Sequence, residues 1–311
     1  MRVCLMIEGQ EGVTWDVWRA LATTAEASGF EALFRSDHYE SLDGVPGRGS
    51  LDAWSTINAL AASTSTLRLG TLVSPATFRH PSVLARSVVT ADHVSGGRVE
   101  LGLGAGWHEG EHRSYGFPFD PTRDRFDRLA EQFEVVHRSW TEGPFDFSGR
   151  FYRLEAADPL PKPVQQPHPP LIAGGSARPR GAALAARWGD EYNTVYATAD
   201  ECRERQQRIA AACRDAGREP IPFSLMTGFL VGRDDAELRD RAARLALWRG
   251  EDDDSPDALP PAWLVGTPAQ IVEQLQALER AGVARVMLQH LLHEDLDAVQ
   301  LIGDEVIPAV R

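Results

Sequence analysis

LGTLVSPATFRHPSVLARSVVTADHVSGGRVELGLGAGWHEGE, residues 69–111, decides the architecture. It holds two apolar runs that each end in a polar, Gly-rich loop, LGTLV and VELGLG. Between them Pro81 opens a segment whose apolar residues at 83, 84, 88 and 91 keep close to helical spacing, and Ser95-Gly96-Gly97 stops it. The stretch therefore predicts a strand, a helix and a second strand. A right-handed crossover makes the two strands parallel, so the loops after Val73 and Leu103 open on the same face of one sheet. Function is to be sought on that face.

Working outward, the same unit repeats. On the N-terminal side VCLMIEG (3–9) predicts a buried strand, Thr14 caps a helix ending at Ser28-Gly29, ALFRSDH (32–38) is a second strand, and Asp52 starts a helix to about Ser63. On the C-terminal side a long amphipathic helix runs from about Thr122 to Trp140. The rhythm then breaks over residues 141–170. FDFSGRFYRL predicts a hairpin and LPKPVQQPHPP a Pro-stiffened strap, together an insertion before the fifth strand. The pattern resumes with strands 171–175, 191–197, 222–232 and 285–291, each followed by helical sequence, and a helix 296–310 closes the chain. Eight strand-helix units in 311 residues predict a single α/β domain, a (β/α)8 TIM barrel spanning 1–311.

Composition narrows the function. A hydrophobic content of 43% supports a large core, and a net charge of -13 argues against nucleic acid or an anionic membrane as partner. Only Lys162 among the 32 basic residues is a lysine. Cys4, Cys202 and Cys213 are odd in number and lack metal or redox spacing, which predicts a reducing, cytoplasmic setting without disulfides. Arg2 is followed by only five apolar residues before Glu8, too few for a signal peptide or a membrane span.

The strand ends place Glu8, Asp37, His38, Val73, Ser74, Gly104, Gly106, Trp107, His108, Gly174, Gly175, Ser176, Asn193, Gln289 and His290 on the barrel's upper rim. Glycine at three of these strand ends suggests close backbone approach by a flat or phosphorylated ligand, although glycines also serve tight turns. Two motifs in this region are set aside. His108-Glu109-Gly110-Glu111-His112 matches H-E-x-x-H, but a central glycine after a Gly-rich strand end is a poor helix for zinc, so no metal is expected. Gly102-Leu103-Gly104-Ala105-Gly106 evokes a dinucleotide fingerprint, yet Trp107 stands where the third glycine belongs.

SDHY (36–39), GTLVSPATFRHPSVLAR, DHVSGGRVELGLGAGW, EHRSYGFPF, PKPVQQPHPP and AGGS, in this order, resemble the luciferase-like monooxygenase family, most closely its branch using the deazaflavin coenzyme F420. The resemblance implies a (β/α)8 barrel with an insertion near the fifth strand, a deazaflavin or flavin across the rim, a small-molecule substrate and a homodimer. It assigns Asp37 to a hydrogen bond with the deazaflavin ring and His38 to a catalytic place beside the reactive carbon. It implies that Leu72, Val73 and Ser74 form a bulge, with a cis Leu72–Val73 peptide, under the ring. Gly106, Trp107 and His108 are implied to lie beside the ring and side chain, and Gly174, Gly175 and Ser176 at the phosphate. An imidazole titrating near neutrality suits proton transfer coupled to hydride transfer. The family's sugar-phosphate dehydrogenases carry a carboxylic acid where this chain has Trp107. That donor is lost unless Glu109 reaches in, and a less polar substrate is expected. Three functions follow as expectations: an F420-dependent oxidoreductase moving hydride to or from an organic substrate, an FMN-dependent monooxygenase using oxygen, or a flavin-binding protein without turnover.

Overall fold

The computed structural model describes every residue except Asp43. Its first half alternates β1 (Arg2–Ile7), α1 (Trp15–Ala27), β2 (Ala32–Arg35), α2 (Ala53–Ser63), β3 (Arg68–Pro75), α3 (Pro81–Ser95), β4 (Val99–Gly104), α4 (Glu109–Tyr115) and α5 (Thr122–Thr141). The hairpin strands β5 (Phe145–Ser148) and β6 (Arg153–Ala157) follow, then β7 (Leu171–Gly174), α6 (Pro179–Trp188), β8 (Glu191–Val195), α7 (Ala199–Asp215), β9 (Phe223–Val231), α8 (Asp235–Arg249), β10 (Leu264–Gly266), α9 (Pro268–Arg280), β11 (Arg285–Gln289), α10 (Leu296–Leu301) and α11 (Ile307–Val310). Parallel pairings run β1-β2-β3-β4-β7-β8-β9-β11, and β11 returns to β1 to close an eight-stranded TIM barrel.

Local signals account for the frame. Thr14 accepts a hydrogen bond from Val17 N at the start of α1. Pro81 takes the first turn of α3, where its missing N–H costs nothing, and Gly96 ends that helix at φ 69, a left-handed conformation glycine adopts without a Cβ penalty. Thr198 and Glu201 form a reciprocal capping box on α7. The side chains between sheet and helices form the main core, with Trp18, Leu21, Phe133, Tyr192 and Phe223 almost fully buried. Each large apolar side chain removed from water contributes about 1.5–3 kcal/mol.

Inside the barrel the alternation of side chains builds layers. Arg285, Glu100 and Glu191 form a charged layer near the strands' N-terminal ends, with Arg285 donating to Glu100 at 2.7 Å and to Glu191 at 3.2 Å. Above it lies an apolar layer of Met6, Phe34, Leu72, Ile172, Met226 and Met287, with Val73 packed against it. The mouth comes next.

Several elements differ from the expected bounds. β2 stops at Arg35 rather than 38: Ser36 N still donates to Ile7 O, and beyond it Ser36 Oγ accepts from Gly9 N and Asp37 from Ser74 Oγ. β8 stops at Val195, and Tyr196 adopts φ 46, a left-handed turn that ends the pairing. β11 stops at Gln289, with His290 buried behind it. The short β10, which pairs with the end of β9, had no sequence signal beyond three apolar-to-small residues. The closing helix is interrupted by a π-helical turn at Ile302–Val306. Pro308, just beyond it, has no N–H to donate to Asp304.

Residues 145–157 do form an antiparallel hairpin. The Pro-rich strap after it is tied to the barrel's side: Asp92 accepts from Val164 N at 2.6 Å and Gln165 N at 3.0 Å, and Lys162 Nζ donates to Ser139 O at 3.0 Å. Cys4, Cys202 and Cys213 are all buried free thiols. Among the described residues no helix is long and apolar enough to cross a membrane.

Candidate active site

The end of the third strand shapes the mouth. Pairing of β3 with β4 slips between Thr71 and Ser74, and the Leu72–Val73 peptide is cis, as the resemblance implied. This bulge turns Val73 over the inner face of β4 and β7. A Cβ added at Gly104 would stand 2.5 Å from Val73 Cγ2, one at Gly102 2.9 Å from Val73 Cγ1, and one at Gly174 3.1 Å from the same atom. These glycines clear the seat of one valine. The space read from sequence as room for a ligand is filled, at Gly104 and Gly174, by Val73 itself.

Beside the bulge stands a polar network. Asp37, 2% exposed, accepts from Ser74 Oγ at 2.6 Å and from Arg79 at 2.5 Å. Trp54 Nε1 donates to the same Ser74 hydroxyl at 3.1 Å. The second arm of Arg79 reaches Asp52 at 2.7 Å, and the two carboxylates hold the guanidinium well above its ordinary pKa despite burial. Asp37 is thus the inner half of an ion pair that locks the loop after β2 to the β3 bulge.

His38, the next residue, points to a different partner. Its Nδ1 donates to Glu111 Oε2 at 2.8 Å, and the other oxygen of Glu111 accepts from Tyr39 N. The Glu111 side chain is fully buried while that of His38 keeps 12% exposure at the mouth. Burial alone would lower the His38 pKa; the hydrogen bond and charge of Glu111, helped by Glu8 and Asp37, outweigh it and raise the pKa above the ordinary value. Burial pushes the Glu111 carboxyl up, but His38 and the Tyr39 amide bring it below its usual range.

Glu111 arrives there on α4, a helix that the sequence did not predict. His108 caps it, Nδ1 accepting from Glu111 N at 3.2 Å, and H-E-x-x-H does begin a helix. Its two histidines are engaged elsewhere than on a metal: the buried His112 bonds Thr77 Oγ1 at 2.7 Å through Nε2 and His108 O at 2.7 Å through Nδ1. Glu109 is exposed and does not replace the missing acid. The spacing of Glu111 three residues after a capping His108 was the overlooked signal.

Trp107 is 63% exposed, its ring edge-on to His38 at 6.0 Å between centroids. Gly106, at φ 77, has no room for a Cβ, which would meet Thr77 Oγ1 at 2.7 Å. On the far side of the mouth the loop 174–178 is largely committed: Gly175 N donates to Asn193 O at 3.0 Å and Ala177 N to Tyr192 OH at 2.7 Å. Ser176 is left exposed ahead of α6. Asn193 is buried on Ser224 and Met287, and His290 on Asp295 O, where burial lowers its pKa to about 4; neither reaches the mouth.

A family model described as luciferase-like monooxygenase matches residues 3–285. The chain belongs to the luciferase-like monooxygenase family. Members similar to it include an FMNH(2)-dependent dimethylsulfone monooxygenase from Pseudomonas putida, 28% identical over 97% of this chain and 90% of that protein. Another is an F420-dependent hydroxymycolic acid dehydrogenase from Mycobacterium tuberculosis, 27% identical over 94% of this chain and 84% of that one. Among solved structures, an F420-dependent secondary alcohol dehydrogenase in complex with an F420-acetone adduct superposes with a TM-score of 0.82, at 21% identity, covering 100% of this chain and 99% of that chain. The luciferase-like fold and oxidoreductase class are thereby established, and relatives of this family use either F420 or FMN.

Proposed function

We propose that this protein is a coenzyme F420-dependent oxidoreductase that moves hydride between the deazaflavin and a small organic substrate, with His38 as its acid-base group. The observation that carries this reading is the His38–Glu111 pair at the mouth: a histidine whose pKa a buried carboxylate raises, with Nδ1 committed to that carboxylate and the other ring nitrogen available for proton exchange. The mouth fits a flat heteroaromatic ring. Its floor is the apolar layer capped by Val73, its edge carries Asp37 and His38, and exposed Trp107 forms a wall.

The ring would rest on Leu72 and Val73, with Asp37 and Ser74 at one edge, Gly106, Trp107 and His108 beside it, and the exposed backbone and hydroxyl of Ser176, next to Gly174 and Gly175, toward a phosphate. When bound, the deazaflavin supplies the hydride-carrying carbon. The chain itself orients the reactants, shields them with Trp107 and handles the proton at His38. Asp37 holds the bulge in place through Ser74 and Arg79. We further propose a homodimer in solution and a cytoplasmic location.

FMN is the second candidate, favoured by the FMNH(2)-dependent relative of nearly full coverage. Titration of the purified apoprotein with F420 and with FMN separates the two. Micromolar F420 binding with much weaker FMN binding is expected; the reverse order would transfer the protein to the flavin monooxygenases, and binding without redox exchange would make it a carrier.

A further inference from the structure

The alternation that places Cys4 and Met6 inside the barrel carries Glu8, two residues on, to the mouth, and the same step from Met287 carries Gln289 there. Gln289 Nε2 donates to Glu8 Oε1 at 2.6 Å and Gln10 Nε2 to Glu8 Oε2 at 2.8 Å. The orientation of both amides is set from behind. Tyr196 OH donates to Gln289 Oε1 at 2.6 Å, and Ser36 Oγ to Gln10 Oε1, so each NH2 group is turned toward the carboxylate. Tyr196, 44% exposed and at φ 46, presents its ring to the same opening.

Glu8 differs from the carboxylates around it. Asp37 is paired with Arg79, Glu111 with His38 and Glu11 with Arg48, whereas Glu8 forms no ion pair among the described residues. Its charge is partly exposed, and each oxygen keeps lone-pair capacity beyond its single amide bond. Glu8 follows the end of β1 and His38 lies just past the end of β2, and these strands are paired neighbours up to Ile7 and Arg35, so both residues stand on the same stretch of rim.

We infer that Glu8, aligned by Gln10 and Gln289, is a specificity determinant that selects substrates bearing an alcohol or amine donor beside the reacting carbon and rejects carboxylates and phosphates. An anion brought against a carboxylate that has no ion-pair partner among the described residues is repelled in a partly desolvated mouth, while a hydroxyl or ammonium completes its acceptor set. Trp107 and Tyr196 offer apolar surface for the rest of such a molecule. This inference deepens the proposed function and rests on it for the identity of the reacting site.

The test uses the full chain and three probes of one shape: benzyl alcohol, benzylamine and benzoate, their affinities measured by saturation-transfer NMR and calorimetry with and without bound cofactor. Benzyl alcohol and benzylamine are expected to bind at least 10-fold more tightly than benzoate. In Glu8→Gln the benzylamine preference should fall by 10-fold or more, and Tyr196→Phe should weaken all three without changing their order. Benzoate binding as well as benzylamine in the native chain, no donor probe binding at all, or an unchanged preference in a folded Glu8→Gln would each overturn the assignment. The native ratio decides even if the variant does not fold. Failure of both F420 and FMN to bind would instead sink the redox reading, and the probe ratio would still report on Glu8.

Discussion

His38 and Glu111 are coupled in a way that pH resolves. The histidine's pKa is raised in the folded chain, so its share of the pairing is fully present below the ordinary histidine value of 6.5 and is lost as pH rises through the raised value. Glu111 is lowered, so its share is present above 4.5 and is lost as pH falls through the lowered value. The pair therefore stabilises the fold most between about 4.5 and 6.5. Glu111→Gln should lower the His38 titration midpoint seen by NMR and flatten the stability profile across that window. An unchanged His38 titration would show that the carboxylate does not set its charge. His38→Ala should leave F420 affinity within a few-fold and slow turnover by roughly 100-fold or more, the scale of one general acid-base group. The rim position of His38 was legible from the predicted end of the second strand, whereas its proposed role came from the resemblance that SDHY carries. Glu111 was hidden, because the glycine in its pentamer obscured α4 and no local pattern tells which distant side chain a carboxylate meets.

At the scale of elements, the third strand, its bulge and three glycines form one packing unit. Gly102, Gly104 and Gly174 belong to two strands, and each gives up a side chain to the same valine. Gly104→Ala meets only Val73 there, whereas Gly102→Ala also meets Thr71 O at 2.3 Å. Both single changes should destabilise by about 1–3 kcal/mol through overpacking. Adding Val73→Ala should recover much of the loss for Gly104→Ala, with a coupling on the order of 0.5–3 kcal/mol, but little of it for Gly102→Ala, whose obstacle is backbone. Urea denaturation of the two double-mutant cycles checks this; equal rescue in both would mean that Val73 alone does not explain the glycines. The barrel strands were readable because buried parallel strands are short apolar runs between helical patterns. Their glycines were not readable as a valine seat, because the partner comes from another strand and only the closed barrel brings it near.

The whole molecule is held at its other end by charge buried inside the barrel. Arg285 bridges Glu100 and Glu191 from strands that meet only through closure, and Arg68 joins Glu100 at 2.5 Å. The two acids are not equivalent. Burial opposes ionisation of Glu100, yet Arg285 and Arg68 hold its pKa down to about 2. Burial and the neighbouring Glu100 raise that of Glu191, whose Oε1 has no hydrogen-bond partner among the described residues. Glu100 therefore adds stability above about 4.5 that fades as pH falls toward 2, while ionising Glu191 costs stability as pH rises through its raised value. Glu100→Gln should cost about 3–5 kcal/mol at neutral pH, since it strips Arg285 of its best partner in a dry interior. Glu191→Gln should be neutral or stabilising at pH 7, and less favourable near pH 4, where the native side chain already carries its proton. Thermal unfolding of both variants at the two pH values checks the asymmetry. Equal losses at pH 7 would mean that both carboxylates serve Arg285 alike and that the layer acts as one symmetric clamp.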